Sequence, residues 1–290
     1  MRWALAVVGV LGVSSSGPLM ASTAAPALAI AFWRNALAAA VLAPVAAGAR
    51  RRELGQLGRR EARLLAVAAV ALAAHFGTWV TALQLTSVAA ATALVCLQAG
   101  FVVVIGRWRG DRVTSPVLVG LVVAFAGVLV ISGVDVTVST EALVGDLLAM
   151  AGGFFGAVYT WAGSDVRRSL STTTYTTLCY GGCALVLLVA CLVAGQPLSG
   201  YAADDWARIA ALTVFGQLVG HSLFNLVLRS ISPTIVSLSS LFTVPLAAVI
   251  AAIALGQTPP PAAVPALALL LAGTALVISA RERAATSSSA

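Results

Sequence analysis

The chain has two histidines, His75 and His221, and each is followed four residues later by a second group able to hydrogen-bond, Trp79 and Asn225 respectively. Residues four apart share a helix face. Gln217 extends the second set into a stripe Gln217-His221-Asn225 at i, i+4 and i+8. Imidazole, indole, amide and hydroxyl groups can bind a ligand by hydrogen bonds, and imidazole can carry a proton near neutral pH. They cannot by themselves run hydrolytic chemistry. No His-Glu-x-x-His pattern occurs and no pair of acids lies within an apolar segment, so metal or acid–base catalysis lacks its parts and the chain is not read as an enzyme. Cys96, Cys179, Cys183 and Cys191 show no C-x-x-C spacing and fall in apolar runs, which predicts packing residues rather than a metal site, a disulfide or a cofactor anchor.

Gln98, Tyr159 and Arg34 complete the candidate set, with Trp161 and Ser14-Ser15-Ser16 as secondary members. Arg34 stands about nine residues into an apolar segment, roughly 13 Å at helical rise. Two readings are open for it. Its guanidinium can receive a substrate carboxylate in a bidentate contact, or it serves structure by pairing with Asp146 or snorkelling to the surface.

The elements that must position these residues are helices in a membrane. Charged residues make up 9% of the 290-residue chain and apolar residues 60%, against about 25% and 45–50% in soluble domains. Ten spans are predicted, at 3–21, 25–47, 64–84, 87–106, 116–133, 143–163, 173–194, 208–228, 234–255 and 262–280. Little chain remains for a soluble domain, so the working parts must lie in the bilayer, where polar side chains mark function. Residues 1–25 carry signal-like features, but removing them would leave nine spans, so they are read as the first span.

The net charge of +7 comes from 17 arginines and no lysine. With the amino terminus in the cytoplasm, fifteen of them, including the cluster from Arg50 to Arg63, fall on the inner side. This predicts an N-in, C-in protein of the cytoplasmic membrane, with the basic stretch 48–63 against anionic lipid and no nucleic-acid partner.

Sliding residues 70–131 onto 216–277 by 146 positions superposes Leu72 on Leu218, His75 on His221, Val103 on Val249, Gly110 on Gly256 and Ala126-Gly127 on Ala272-Gly273. The chain is therefore read as a repeat at 1–137, a second at 138–283, and a disordered cytoplasmic tail at 284–290. Each repeat holds five spans, an odd number, so the second must run inverted. The expected fold is an all-α membrane protein of ten transmembrane helices in two inverted five-helix repeats, an arrangement suited to exposing a central site to each side in turn.

Several stretches resemble the EamA family of the drug/metabolite transporter superfamily: Phe32-Trp33-Arg34, the unit from His75 through Ala82-Leu83-Gln84 to Thr86-Ser87, and Gly110-Asp111. In the second copy they are Gly145-Asp146-Leu147-Leu148-Ala149, Ser239 to Pro245, Leu255-Gly256-Gln257 and Ala272-Gly273. Two departures stand out, Gln257 and Asp111 where the family usually has Glu, and Ala99 opposite Pro245. The resemblance implies an export or exchange carrier for small metabolites. With Arg34 the one arginine within a span, an amino acid, an analogue or a hydrophobic drug fits better than the alternative, a nucleotide-sugar or lipid-linked metabolite, which calls for several cations. If transport is coupled to protons, the two histidines are the groups to carry them.

Overall fold

The computed structural model describes residues 2–111, 113–135, 139–257, 264–269, 271–273, 275–276 and 279. Arg112, Arg281, Arg283, residues 258–263 and the predicted 284–290 tail lie outside them. Among the described residues there is no strand, and eight helices are long and apolar enough to cross a membrane. They are α1 (Trp3–Ala21), α2 (Ala27–Ala49), α3 (Arg59–Leu85), α4 (Val88–Trp108), α6 (Thr140–Val166), α7 (Thr172–Val193), α8 (Ala203–Val227) and α9 (Pro233–Leu255). The helix α5 (Ser115–Asp135) and the shorter apolar stretch α10 (Val264–Gly273) stand at the other two expected places. The chain is thus a multi-pass membrane protein.

Four helix starts carry a readable signal. Ser87, Ser139, Ser171 and Ser232 each accept a hydrogen bond from the backbone N–H three residues on, satisfying a donor that the first turn leaves open. Pro233 follows Ser232 at the position where a missing N–H costs nothing. Pro44 lies inside α2 without breaking it. The carbonyl it deprives of a partner, that of Ala40, lies on an exposed flank.

Three helices are interrupted within their spans. In α1 the helix interrupts at Ser15, because the ring of Pro18 excludes the carbonyl of Ser14 from the helical ladder. In α9 a 3₁₀ turn, Ser240–Phe242, precedes Thr243, placed by Pro245, whose ring clashes with the carbonyl of Leu241. In α4 the break falls at Cys96-Leu97, the positions equivalent to Phe242 and Thr243 in the repeat, although Ala99 replaces the proline. The two breaks touch: the Cys96 thiol donates to the Ser240 carbonyl at 3.5 Å and lies 3.8 Å from Thr243 Oγ1.

Packing interleaves the two halves. α3 lies along α6, α2 along α7, and α1 along α8. The Gly152-x-x-x-Gly156 spacing does what it predicts, since a Cβ at Gly152 would meet Trp79 Cβ at 3.3 Å and the His75 carbonyl at 3.4 Å.

One end of the molecule gathers the arginines. Arg109 Nη2 donates to both carboxylate oxygens of Asp165, at 2.8 and 3.0 Å. A short helix after α2, Arg51–Gly55, brings Glu53 onto the start of α7, where it accepts hydrogen bonds from Ser171 Oγ (2.7 Å), Thr174 Oγ1 (2.8 Å) and the Ser171 N–H. Partial burial of Glu53 raises its carboxyl pKa, but the bonds from Ser171 and Thr174 and the charge of Arg50 outweigh it and hold the pKa below the usual 4.5. A carboxylate with a depressed folded-state pKa stabilises above its unfolded value and loses that contribution as pH falls through the folded one. Glu53→Ala is therefore expected to lower stability by about 1 kcal/mol at pH 7, the scale of a lost helix cap. In thermal unfolding across pH, the difference from wild type should narrow as the pH falls below the usual 4.5.

At the opposite end Asp205 accepts from the Ala24 N–H at 3.0 Å and from Arg208 at 3.0 Å, while the Trp33 indole N–H donates to the Leu198 carbonyl at 2.8 Å. Both ends of the bundle are tied by contacts.

Candidate functional site

Between these ties lies a cavity of about 70 Å³. Its walls come from α1 (Val13, Gly17), α3 (His75, Trp79), α4 (Thr92, Cys96, Gln98), α6 (Tyr159, Thr160), α8 (His221, Asn225) and α9 (Ser237, Ser240, Thr243). Two of the broken helices, α4 and α9, present their interruptions to it. Six of the eight residues that the sequence put forward line it: His75, Trp79, Gln98, Tyr159, His221 and Asn225.

The imidazoles of His75 and His221 are 6.3 Å apart, centroid to centroid, so the duplicated histidines meet across the space between the two halves. His75 is fixed by its Nδ1 against the Gly152 carbonyl at 2.8 Å. A carbonyl only accepts, so Nδ1 carries a proton, and in the neutral ring Nε2 is the lone-pair nitrogen. Asn225 donates to Tyr159 Oη at 2.6 Å and to Tyr180 Oη at 3.4 Å. Gln98 donates to Thr160 Oγ1 at 3.1 Å. Aromatic faces close the remainder: Trp79 lies 5.8 Å from His75, Phe76 is 5.2 Å from His221 and Tyr159 is 6.4 Å from it.

Five buried polar atoms on the wall have no protein partner: Trp79 Nε1, Thr92 Oγ1, His221 Nε2, Asn225 Oδ1 and Ser237 Oγ. A buried polar group without a partner costs about 1–3 kcal/mol. Five converging on one small space mark a place built to hydrogen-bond something else. Four of the five can donate, and Asn225 Oδ1 can only accept.

Gln217 and Arg34 do not line the cavity, and the predicted stripe on α8 divides. Residues Leu212–His221 form a π-helix, whose i→i+5 bonding turns residues four apart away from a common face. Gln217 therefore points between α2 and α8, where its Oε1 accepts from Arg34 Nε at 3.0 Å and its Nε2 donates to Asn35 Oδ1 at 3.0 Å. Arg34 is fully buried. Its other contacts are Met20 Sδ at 3.6 Å and the face of Phe76, 4.0 Å from the guanidinium carbon. The expected pairing with Asp146, or escape to the surface, is not made. An arginine in mid-span is instead held by an amide from the other half and by an aromatic face.

Trp161 also stands elsewhere. It donates to the Val102 carbonyl at 2.9 Å and lies under Arg109 at 4.7 Å, at the arginine-rich end. Ser14 bonds the Val10 carbonyl in its own helix. The four cysteines are free and buried, and no cluster of metal-ligating side chains occurs among the described residues. Thr92, Cys96, Ser237, Ser240 and Thr243 were missed by the reading of the sequence. Pro245 was the available signal, since a broken helix exposes neighbouring polar groups. Larger hollows flank the molecule, lined between α1 and α9 (about 600 Å³) and among α4, α5 and α6 (about 620 Å³) almost wholly by apolar side chains.

A polar, aromatic-walled space enclosed by transmembrane helices from both halves, with a pair of discontinuous helices meeting at it, is the site arrangement of membrane transporters. The sequence comparisons give the particular group: the model of the EamA-like transporter family matches residues 2–133 and again 143–279, and the chain belongs to that family. No curated protein matches the sequence. A solved crystal structure is similar with a TM-score of 0.75 at 18% identity, over 97% of this chain and 98% of its own, which shows a shared fold.

Proposed function

We propose that this chain is a secondary carrier that exports or exchanges a small metabolite across the cytoplasmic membrane, with both termini inside, by alternating access. The halves 1–137 and 138–283 act as inverted repeats that rock about the cavity. The observation that carries this reading is the convergence of five unpartnered polar atoms, from α3, α4, α8 and α9, at the place where two broken helices meet. Broken helices offer exchangeable backbone partners and hinges.

The donor-rich wall suits an acceptor-rich group such as a carboxylate, held by neutral donors, while Asn225 Oδ1 suits a substrate N–H. The aromatic rings suit an apolar body. An amino acid, an analogue or a small amphipathic drug combines these features. A nucleotide-sugar is disfavoured, because a diphosphate requires cations and Arg34 is turned from the cavity. His75 and His221 are the groups available for proton coupling.

Untargeted metabolomics of spent medium from cells with and without the protein, followed by proteoliposome exchange of the compounds found, tests the reading. Removing the His221 imidazole takes away a cavity hydrogen-bond group and a ring that packs on Phe76 and Tyr159. His221→Ala is expected to slow exchange at least about tenfold, corresponding to roughly 1.4 kcal/mol. A metabolite profile identical with and without the protein, and no exchange for a broad amino-acid and metabolite panel, would count against a carrier.

A further inference from the structure

At the arginine-rich end a second hollow of about 560 Å³ is lined by Arg167, Arg168 and Arg229, with Asp111 and Trp161, and it reaches Leu228. Leu228 also lines the central cavity and is 7% exposed, so this one buried side chain borders both spaces. The three arginines differ. Arg168 and Arg229 are exposed, as arginines that serve only to set membrane orientation are. Arg167 is 2% exposed, and its guanidinium is held by carbonyl oxygens, with Nε donating to Asn225 O at 3.1 Å and Nη1 to Leu170 O.

Orientation signalling does not call for burying an arginine. Nor does Arg167 form an ion pair among the described residues: Asp165 is committed to Arg109, Glu53 acts on it only through its charge while bound by Ser171 and Thr174, and Asp111 stands on the same wall of the hollow. Desolvation, and then the like charge of Arg229, pull the Arg167 pKa below its usual value, and the attraction of Tyr175 and Glu53 offsets them only in part. The carbonyl that holds it belongs to Asn225, whose own amide oxygen faces the central cavity.

Resting on the carrier reading above, we propose that this hollow is a loading vestibule for a substrate that carries a carboxylate. Arg168 and Arg229 draw the anion in, Arg167 holds it in a fixed orientation, and Leu228 is the door through which it passes to the neutral donors Trp79, Thr92, His221 and Ser237. A monocarboxylate fits this sequence of contacts better than a phosphate, because the charge must be handed from one buried guanidinium to uncharged donors.

The test uses the full chain in phosphatidylcholine nanodiscs, with binding read by calorimetry. The probes are phenylacetate and hexanoate, set against phenylethylamine and hexylamine, which share their apolar bodies. The carboxylates are expected to bind saturably, with affinity that falls as salt rises, and the amines not to bind. Arg167→Gln is expected to weaken carboxylate binding at least about tenfold. Because that variant also loses bonds to two carbonyls, Arg229→Gln, at an exposed position, provides the second arm: it should weaken binding about threefold and flatten the salt dependence.

Equal binding of amines and carboxylates, no binding of either, or unchanged affinity in Arg229→Gln overturns the proposal. So does stronger competition by inorganic phosphate, or loss of carboxylate binding when phosphatidylglycerol replaces a quarter of the lipid, since either would make this a phosphate or headgroup site. Efflux that persists in a protein whose vestibule binds no carboxylate overturns the vestibule alone. Carboxylate binding without exchange of any compound keeps the vestibule and overturns the carrier.

Discussion

Gln217→Leu is expected to destabilise the protein by about 3–5 kcal/mol, the largest effect of any substitution that leaves the backbone unhindered. Two losses combine. The Arg34 guanidinium, fully buried, gives up its one amide acceptor, and a hydrogen bond to a charged group is worth about 1.5–3 kcal/mol. Asn35 Oδ1 gives up the Gln217 donor and is left as a buried acceptor, at about 1–3 kcal/mol. Leaving a buried charge without its partner is costlier than removing both, so the double variant Arg34→Met/Gln217→Leu is expected to be more stable than Gln217→Leu alone. Thermal unfolding of the wild type, both single variants and the double variant closes the cycle. Strictly additive costs would mean that the two side chains do not support each other. Because neither lines the cavity, the double variant should also retain exchange, whereas a substrate contact at Arg34 would abolish it.

Gly12→Leu is expected to prevent accumulation of folded protein. A Cβ at Gly12 would stand 2.6 Å from the Phe215 carbonyl oxygen, 3.0 Å from the Gly220 nitrogen and 3.1 Å from its Cα. All three are backbone atoms of the π-helical segment and cannot swing aside as a side chain would. A Cβ at Gly220 would meet Val13 N at 2.9 Å in return, so α1 and α8 pack main chain against main chain, as small residues permit in membranes. Adding a single methyl to such a contact costs about 1–3 kcal/mol, and leucine adds three more carbons. Gly48→Leu serves as the control, since a Cβ there meets nothing within 4 Å. Size-exclusion profile and thermal unfolding give the readout, and a Gly12→Leu variant that unfolds like wild type would show that α1 and α8 do not pack this way.

These two positions show what a linear reading captures and where it stops. The helices fall within a few residues of the apolar windows, because long apolar runs in a bilayer must close their backbone hydrogen bonds locally. α3 starts five residues earlier than its window, at Arg59, since arginine and glutamate are good helix formers and extend the helix out of the apolar zone. His75, Trp79, His221 and Asn225, which line the cavity, stand out in the sequence because polar groups four apart on an apolar helix are conspicuous. Gln217 was placed with them by the same rule and stands elsewhere, because hydrophobic periodicity does not announce ten residues of π-helix. The break in α4 was likewise silent. Its counterpart in α9 has Pro245, whereas α4 has Ala99 and breaks where Cys96 reaches the carbonyl of Ser240, 144 residues away in the chain.

The amino-acid order alone determined that this is a helical membrane protein made of two related halves, and which few polar side chains a bilayer would have to accommodate. Composition and period suffice for that, since burial in lipid is a property of each segment by itself. Which polar groups meet was decided only by the tertiary structure. Arg34 and Gln217 are 183 residues apart in the chain, Asn225 and Tyr159 66, and Gln98 and Thr160 62. A hydrogen bond in the membrane interior has no water to substitute for a missing partner, so the role of each of these side chains exists only once the helices are packed together.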